Sequence, residues 1–167
     1  MTTATGHRNA ELEEVWARDE EIRLVGTLDP SILVDRAWTL RLTPRDPAPP
    51  RSRRVRAIHT FGRARLRFWR TPGPFAVAVS GAAFEATVPV DFLRPPMPVI
   101  AAAWDLHLVS AYMGAPVELR PGRYTGVPVR AQAITYPWQR GDGRRAFTVR
   151  PVHGPDGALS IEGRRVR

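Results

Sequence analysis

The chain has 167 residues, enough for one domain with its own hydrophobic core and too few for two roomy ones. It contains no cysteine, which excludes disulfides, thiolate metal sites and cysteine nucleophiles. The formal charge is +9 and all 25 basic residues are arginine; with abundant Ala, Gly and Pro this points to a GC-rich coding sequence, so total charge says little about partners.

Residues 1–8 are expected to form a flexible N-terminus. The opening "MTTATGHRNAELEEVWARDEE" lacks the basic stretch and apolar core of a secretory leader. No apolar run approaches the ~18 residues of a membrane span, so the expectation is a cytoplasmic protein. Residues 9–21, "NAELEEVWARDEE", predict a short acidic helix. Asn9 can cap it, early acids suit the helix dipole, and Leu12, Val15 and Trp16 stand at helical spacing.

From residue 22 the pattern changes to short apolar or alternating runs punctuated by Pro, Gly and Asp. Strands are predicted at 22–28, 36–43, 53–60, 63–69, 75–79, 82–88, 103–109, 116–119, 128–135, 145–150 and 158–162. The segments "RTPGP", "LRPPMP", "QRGDGR" and "GPDG" between them have turn chemistry, since proline presets φ and Asp-Gly supplies left-handed positions. "RDPAPPRSRR" reads as an exposed loop rather than a domain boundary. Seventeen prolines at such places argue against long helices. The expected fold is therefore mainly β: one immunoglobulin-like antiparallel β-sandwich over 22–167, preceded by the short helix.

The excess charge has an address. Residues 41–70 hold ten arginines and one aspartate, whereas the rest of the chain balances. Within "RARLRFWR", strand alternation puts Arg63, Arg65, Arg67 and Trp69 on one face and Ala64, Leu66 and Phe68 on the other. Arg54 and Arg56 extend the patch if the preceding strand pairs alongside. A planar cationic row ending in an aromatic suits an anionic chain. The stronger reading of the row is the solvated back of a strand, with the acidic 9–21 helix laid over it.

Candidates for chemistry are few. There are four histidines (His7, His59, His107, His153) and five serines, with no G-x-S-x-G elbow, phosphate-binding glycine loop, H-E-x-x-H or calcium loop. In "WDLHL", Asp105 and His107 share a strand face, an arrangement that serves a general base or two metal ligands. The alternation favours reading both residues as solvent-facing groups or as groups satisfied across strands. Glu85 and Glu118 are single carboxylates with no partner at acid/base spacing. Trp38 reads as core. Tyr124, Tyr136 and Trp138 lie near loops, where they either cap the sandwich or form an aromatic platform for a sugar or base. No cofactor or metal site is expected.

Taken in order, "GTL" at 26–28, "WDL" at 104–106, "LRPG" at 119–122, "FTV" at 147–149 and "LSI" at 159–161 resemble the landmarks of small bacterial β-sandwich domains. Those domains accompany cell-wall glycosyltransferases and glycerophosphotransferases. The resemblance spans roughly 20–166, although Gly157-Ala158 stand where an asparagine is usual and the 41–70 segment is unusually basic. It implies an accessory module without its own active site, whose partner is a transferase or an anionic glycan polymer. Nucleic-acid binding through the same arginine patch is the second reading, which the lack of an RNA-binding motif disfavours. An enzyme centred on Asp105 and His107 is the third.

Overall fold

The computed structural model describes residues 9–32, 37–45, 73–94, 101–112, 115–123, 136–141 and 146–166. Among these residues there are ten strands: β1 (Ala10–Arg18), β2 (Glu21–Leu28), β3 (Trp38–Arg45), β4 (Phe75–Ser80), β5 (Ala83–Pro89), β6 (Ala101–Tyr112), β7 (Ala115–Leu119), β8 (Gln139–Gly141), β9 (Phe147–His153) and β10 (Leu159–Arg165). Two single 3-10 turns, Pro30–Ile32 and Val90–Leu93, are the only helical segments among the described residues. No helix there is long and apolar enough to cross a membrane. The strands expected at 53–60, 63–69 and 128–135 lie outside the described residues.

The strands follow the order β1-β2-β5-β4-β3-β6-β10-β9-β8, with β7 paired to β6. Every strand pair is antiparallel. Strand β4 joins the two arms. Its first residues, Phe75 and Ala76, pair with Leu40 and Thr39 of β3, and Val77 to Ser80 pair with β5. The stretch after β7 links β1, at one end of this order, to the start of β10, two strands in from the other end. The Leu12 amide donates to the Gly122 carbonyl at 2.8 Å, and the Leu159 amide donates to the Pro121 carbonyl at 2.9 Å. The sheet is thereby nearly closed into a barrel.

Inside, alternation along each strand supplies one continuous core. Ile22, Leu24, Phe84 and Val88 come from one arm; Trp38, Leu40, Leu42, Trp104, Leu106, Leu108, Phe147, Val149, Leu159 and Ile161 come from the other. Two glycines make room for its largest rings. A Cβ on Gly163 would sit 2.8 Å from the Trp104 indole, and one on Gly141 would sit 2.0 Å from the Phe147 ring. Trp38 is core, as its alternation with Leu40 implies.

The expected helix over 9–21 is instead β1, a turn and the start of β2. Its helical look has a specific cause. The register against β2 shifts between Leu12 and Glu14, a bulge that adds one residue to β1. Inward positions therefore run Ala10, Leu12, then Val15 and Ala17, and the three-residue step imitates a helix. Asp19 and Glu20 link β1 to β2 with φ of 53° and 61°, a two-residue hairpin turn made without glycine. Pairing with β2 overrides the helical propensity of Glu, Leu and Ala. Strand β8 is also a correction, since "QRG" belongs to a segment that reads as a turn.

Candidate functional site

Two places gather polar and aromatic side chains, one on the outer face of the β3–β6–β10 region and one at the open part of the β1 edge. On β6, Trp104, Leu106 and Leu108 turn inward, so Asp105 and His107 turn outward together. Register puts Ser160 of β10 opposite Asp105 and Arg41 of β3 opposite His107.

Asp105 is the hub of the outer face. Arg45 grips it through two nitrogens, with Nε 3.3 Å from Oδ2 and Nη2 on Oδ1. Ser160 Oγ donates to Oδ1 at 2.9 Å while accepting from Arg45 Nη2 at 2.7 Å. Arg120 Nη2 donates to the same oxygen at 3.2 Å and Nη1 reaches Asp156 at 3.4 Å. Burial pushes the Asp105 carboxyl up, but the hydrogen bonds from Arg45 and Ser160 and the charges of Arg45 and Arg120 hold it below its ordinary range. It is a fixed anion rather than a base.

His107 belongs to a separate set. Its Nδ1 stands 2.6 Å from Glu118 Oε1, an ion-pair distance without hydrogen-bond alignment, and the other oxygen of Glu118 takes Arg41 Nη2 at 2.5 Å. Burial pushes the imidazole below its ordinary value; Glu118 pulls it up, and Arg120 and Arg41 push it down. Asp105 therefore does not orient His107 as a base would require. Glu85 forms a bidentate pair with Arg23 at 2.7 and 2.9 Å. Among the described residues, no group of three or more His, Asp or Glu is arranged to hold a metal.

The second place is a cleft of about 390 Å³ lined by Leu12, Glu13, Glu14, Val15, Trp16, Arg123, Tyr136 and His153. Its position follows from the bulge. Gly122 bridges β1 as far as Leu12, and the edge beyond it, from Glu13 on, borders the cleft. On the facing wall, His153 Nδ1 lies 3.1 Å from the Gly157 carbonyl oxygen and Nε2 lies 3.2 Å from the Tyr136 hydroxyl. Trp16 donates Nε1–H to Glu14 Oε2 at 2.8 Å and carries the Arg18 guanidinium 4.6 Å from its ring centre.

The residues singled out from sequence fall in different places. Tyr136 lines the cleft, whereas Trp138 packs on the outer face against the guanidinium groups of Arg164 and Arg150, at 4.0 and 4.5 Å. Tyr124 and the row Arg54, Arg56, Arg63, Arg65, Arg67 and Trp69 lie outside the described residues. Of the cleft's other members, sequence reasoning put Leu12, Val15 and Trp16 on a helix and counted His153 among four histidines, assigning none of them to a common site. Their one signal was the Leu12 to Val15 step amid two-residue spacing, which is how a bulge shows itself.

No family model matches the chain, and comparison with curated protein sequences finds no match. Solved structures do share its fold. TarS of S. aureus superposes with a TM-score of 0.63 at 12% identity, over 96% of this chain and 25% of TarS. The 217–571 segment of S. aureus TarS gives 0.63 at 11% identity, over 96% of this chain and 39% of that one. The chain thus spans about a quarter of the length of TarS and shares the fold of that part of it.

Proposed function

We propose that this chain is a non-catalytic accessory module that acts beside a cell-wall glycopolymer transferase and holds an anionic glycan or the partner protein through Arg54, Arg56, Arg63, Arg65, Arg67 and Trp69. The observation that carries this reading is the fold match, in which 96% of the chain corresponds to only 25% of a longer protein, as a module would. The sequence landmarks from "GTL" to "LSI" support the transferase setting. In the same reading, the two arms are the sheets of an immunoglobulin-like sandwich and β4 is the strand that switches between them.

Charge distribution supports an external object for the arginine row. The carboxylates of Glu85, Asp105, Glu118 and Glu162 are engaged by Arg23, Arg45, Arg120, Arg41 and Arg150. These four acids of the outer face are engaged by other arginines, which supports reading the excess of arginine over residues 41–70 as directed to an external anion. The test is a fluorescence titration of a glycerol-phosphate polymer and a random single-stranded RNA, at low and high salt, with wild type and Arg63/Arg65/Arg67→Ala. Saturable polymer binding that weakens with salt and vanishes in the triple variant is expected. Preference for RNA would turn the assignment to nucleic acid. Absence of polymer binding at low salt would remove the glycan and leave co-purification with a transferase as the remaining support.

A further inference from the structure

The cleft at the β1 edge is chemically unlike the basic row, and contacts hold Trp16 and Tyr136 in place on its lining. Strand β1 is bulged where the cleft begins, a device that re-aims side chains at sheet edges next to binding sites. Trp16 is 41% exposed, which is unusual for a tryptophan on a paired strand. Its ring is nonetheless held, by the Nε1–H bond to Glu14 at one edge and by Arg18 on one face. Stacking by a ligand is left to the other face.

The opposite wall is equally fixed. The Gly157 carbonyl can only accept, so His153 Nδ1 carries the proton there, and Nε2 accepts from the Tyr136 hydroxyl. The phenol oxygen keeps its lone pairs as acceptors. Burial pushes the Tyr136 phenol above its ordinary value, with Arg123 opposing, so the group stays an O–H. Glu14 offers its second carboxylate oxygen and Glu13 offers both of its own. The walls therefore present a surplus of acceptors beside aromatic surface.

We infer that this cleft binds one neutral sugar ring of a glycan chain, stacked on Trp16 and hydrogen-bonded through its hydroxyls to Glu13, Glu14 and Tyr136. Charge selects the class. Two carboxylates, Glu13 and Glu14, line the cleft with Arg123, and Arg18 lies beside Trp16, so formal charge balances there and favours neither a phosphate nor an ammonium ion. A pyranose is uncharged, rich in hydroxyl donors that suit the acceptors, and has a C–H face that suits an indole. The volume of about 390 Å³ lies at the lower end of the ~300–1,000 Å³ range for small-molecule sites, as one ring rather than a long segment requires. The inference goes beyond the accessory-module reading and does not use the arginine row.

The experiment is an NMR titration of the 15N-labelled full chain, following the Trp16 indole N–H signal, identified by its loss in Trp16→Phe. The probes are the trisaccharides of N-acetylglucosamine and of glucose, glycerol phosphate, and tetramethylammonium. At least one trisaccharide is expected to shift the signal saturably, and the two ions are not. Binding read from other signals should weaken about tenfold or more in Trp16→Ala, the behaviour of an aromatic anchor, with the fold intact because the ring is exposed. Arg63/Arg65/Arg67→Ala should titrate like wild type, which separates this site from the basic row. No saturation with either trisaccharide, stronger saturation with either ion, or unchanged affinity in Trp16→Ala would overturn the inference.

Discussion

The outer face of β6 and the cleft beside β1 both collect charged side chains, yet they are built on opposite principles. Around Asp105, donors and acceptors meet one another: Arg45, Arg120 and Ser160 converge on one carboxylate that is only 23% exposed. Beside β1, contacts hold Trp16 and Tyr136 in place on the lining of an open cleft. A network closed on itself specifies packing and register, whereas groups held in place with unused capacity are prepared for a ligand. The pair most suggestive of catalysis in the sequence, Asp105 and His107, falls in the closed network.

The largest perturbation attacks what both regions stand on. Trp104 is fully buried in the core, and Trp104→Ala is expected to cost about 3–5 kcal/mol of unfolding free energy in denaturant titration. Sugar binding and the outer-face network should then fail together. Ser160→Ala separates them: it removes a buried hydroxyl that bridges Arg45 and Asp105, and should cost about 1 kcal/mol. Trisaccharide affinity should stay at the wild-type value.

Acid sharpens the same contrast with a smaller effect. His107 titrates below its ordinary value in the folded chain, so between that value and about 6.5 the unfolded chain binds the proton more readily. Its contribution to stability is therefore full above about pH 6.5 and is lost as pH falls through the folded value. Asp105 is likewise held low, so its contribution is full above about pH 3.9 and is lost as pH falls through its folded value. Melting temperature measured against pH should show two successive declines. His107→Gln should remove the first and Asp105→Asn should reduce the second, to which Glu85, held low by its hydrogen bonds from Arg23, also contributes.

How much of this was legible in the sequence depended on whether the signal was local. Runs such as "IRLVGTL" and "AWDLHLV" alternate cleanly because one face is buried, so β2 and β6 could be read directly, as could the shared face of Asp105 and His107. Strand β1 could not, because one bulged residue at Glu13 converts alternation into helical spacing and the turn at Asp19-Glu20 uses no glycine. The partners of Asp105 were equally hidden. Arg45 and Ser160 lie 60 and 55 residues away, and only strand register brings them to one carboxylate. The cleft draws on residues 12–16, 123, 136 and 153, which no spacing rule connects.

The most direct test is a crossed comparison of Ser160→Ala and Trp16→Ala, measuring melting temperature and trisaccharide affinity on each. The account predicts a double dissociation: Ser160→Ala melts lower and binds normally, while Trp16→Ala melts near wild type and binds about tenfold more weakly or worse. Loss of binding in Ser160→Ala with the fold intact, or full binding in Trp16→Ala, would contradict the division of the molecule into a structural face and a binding cleft.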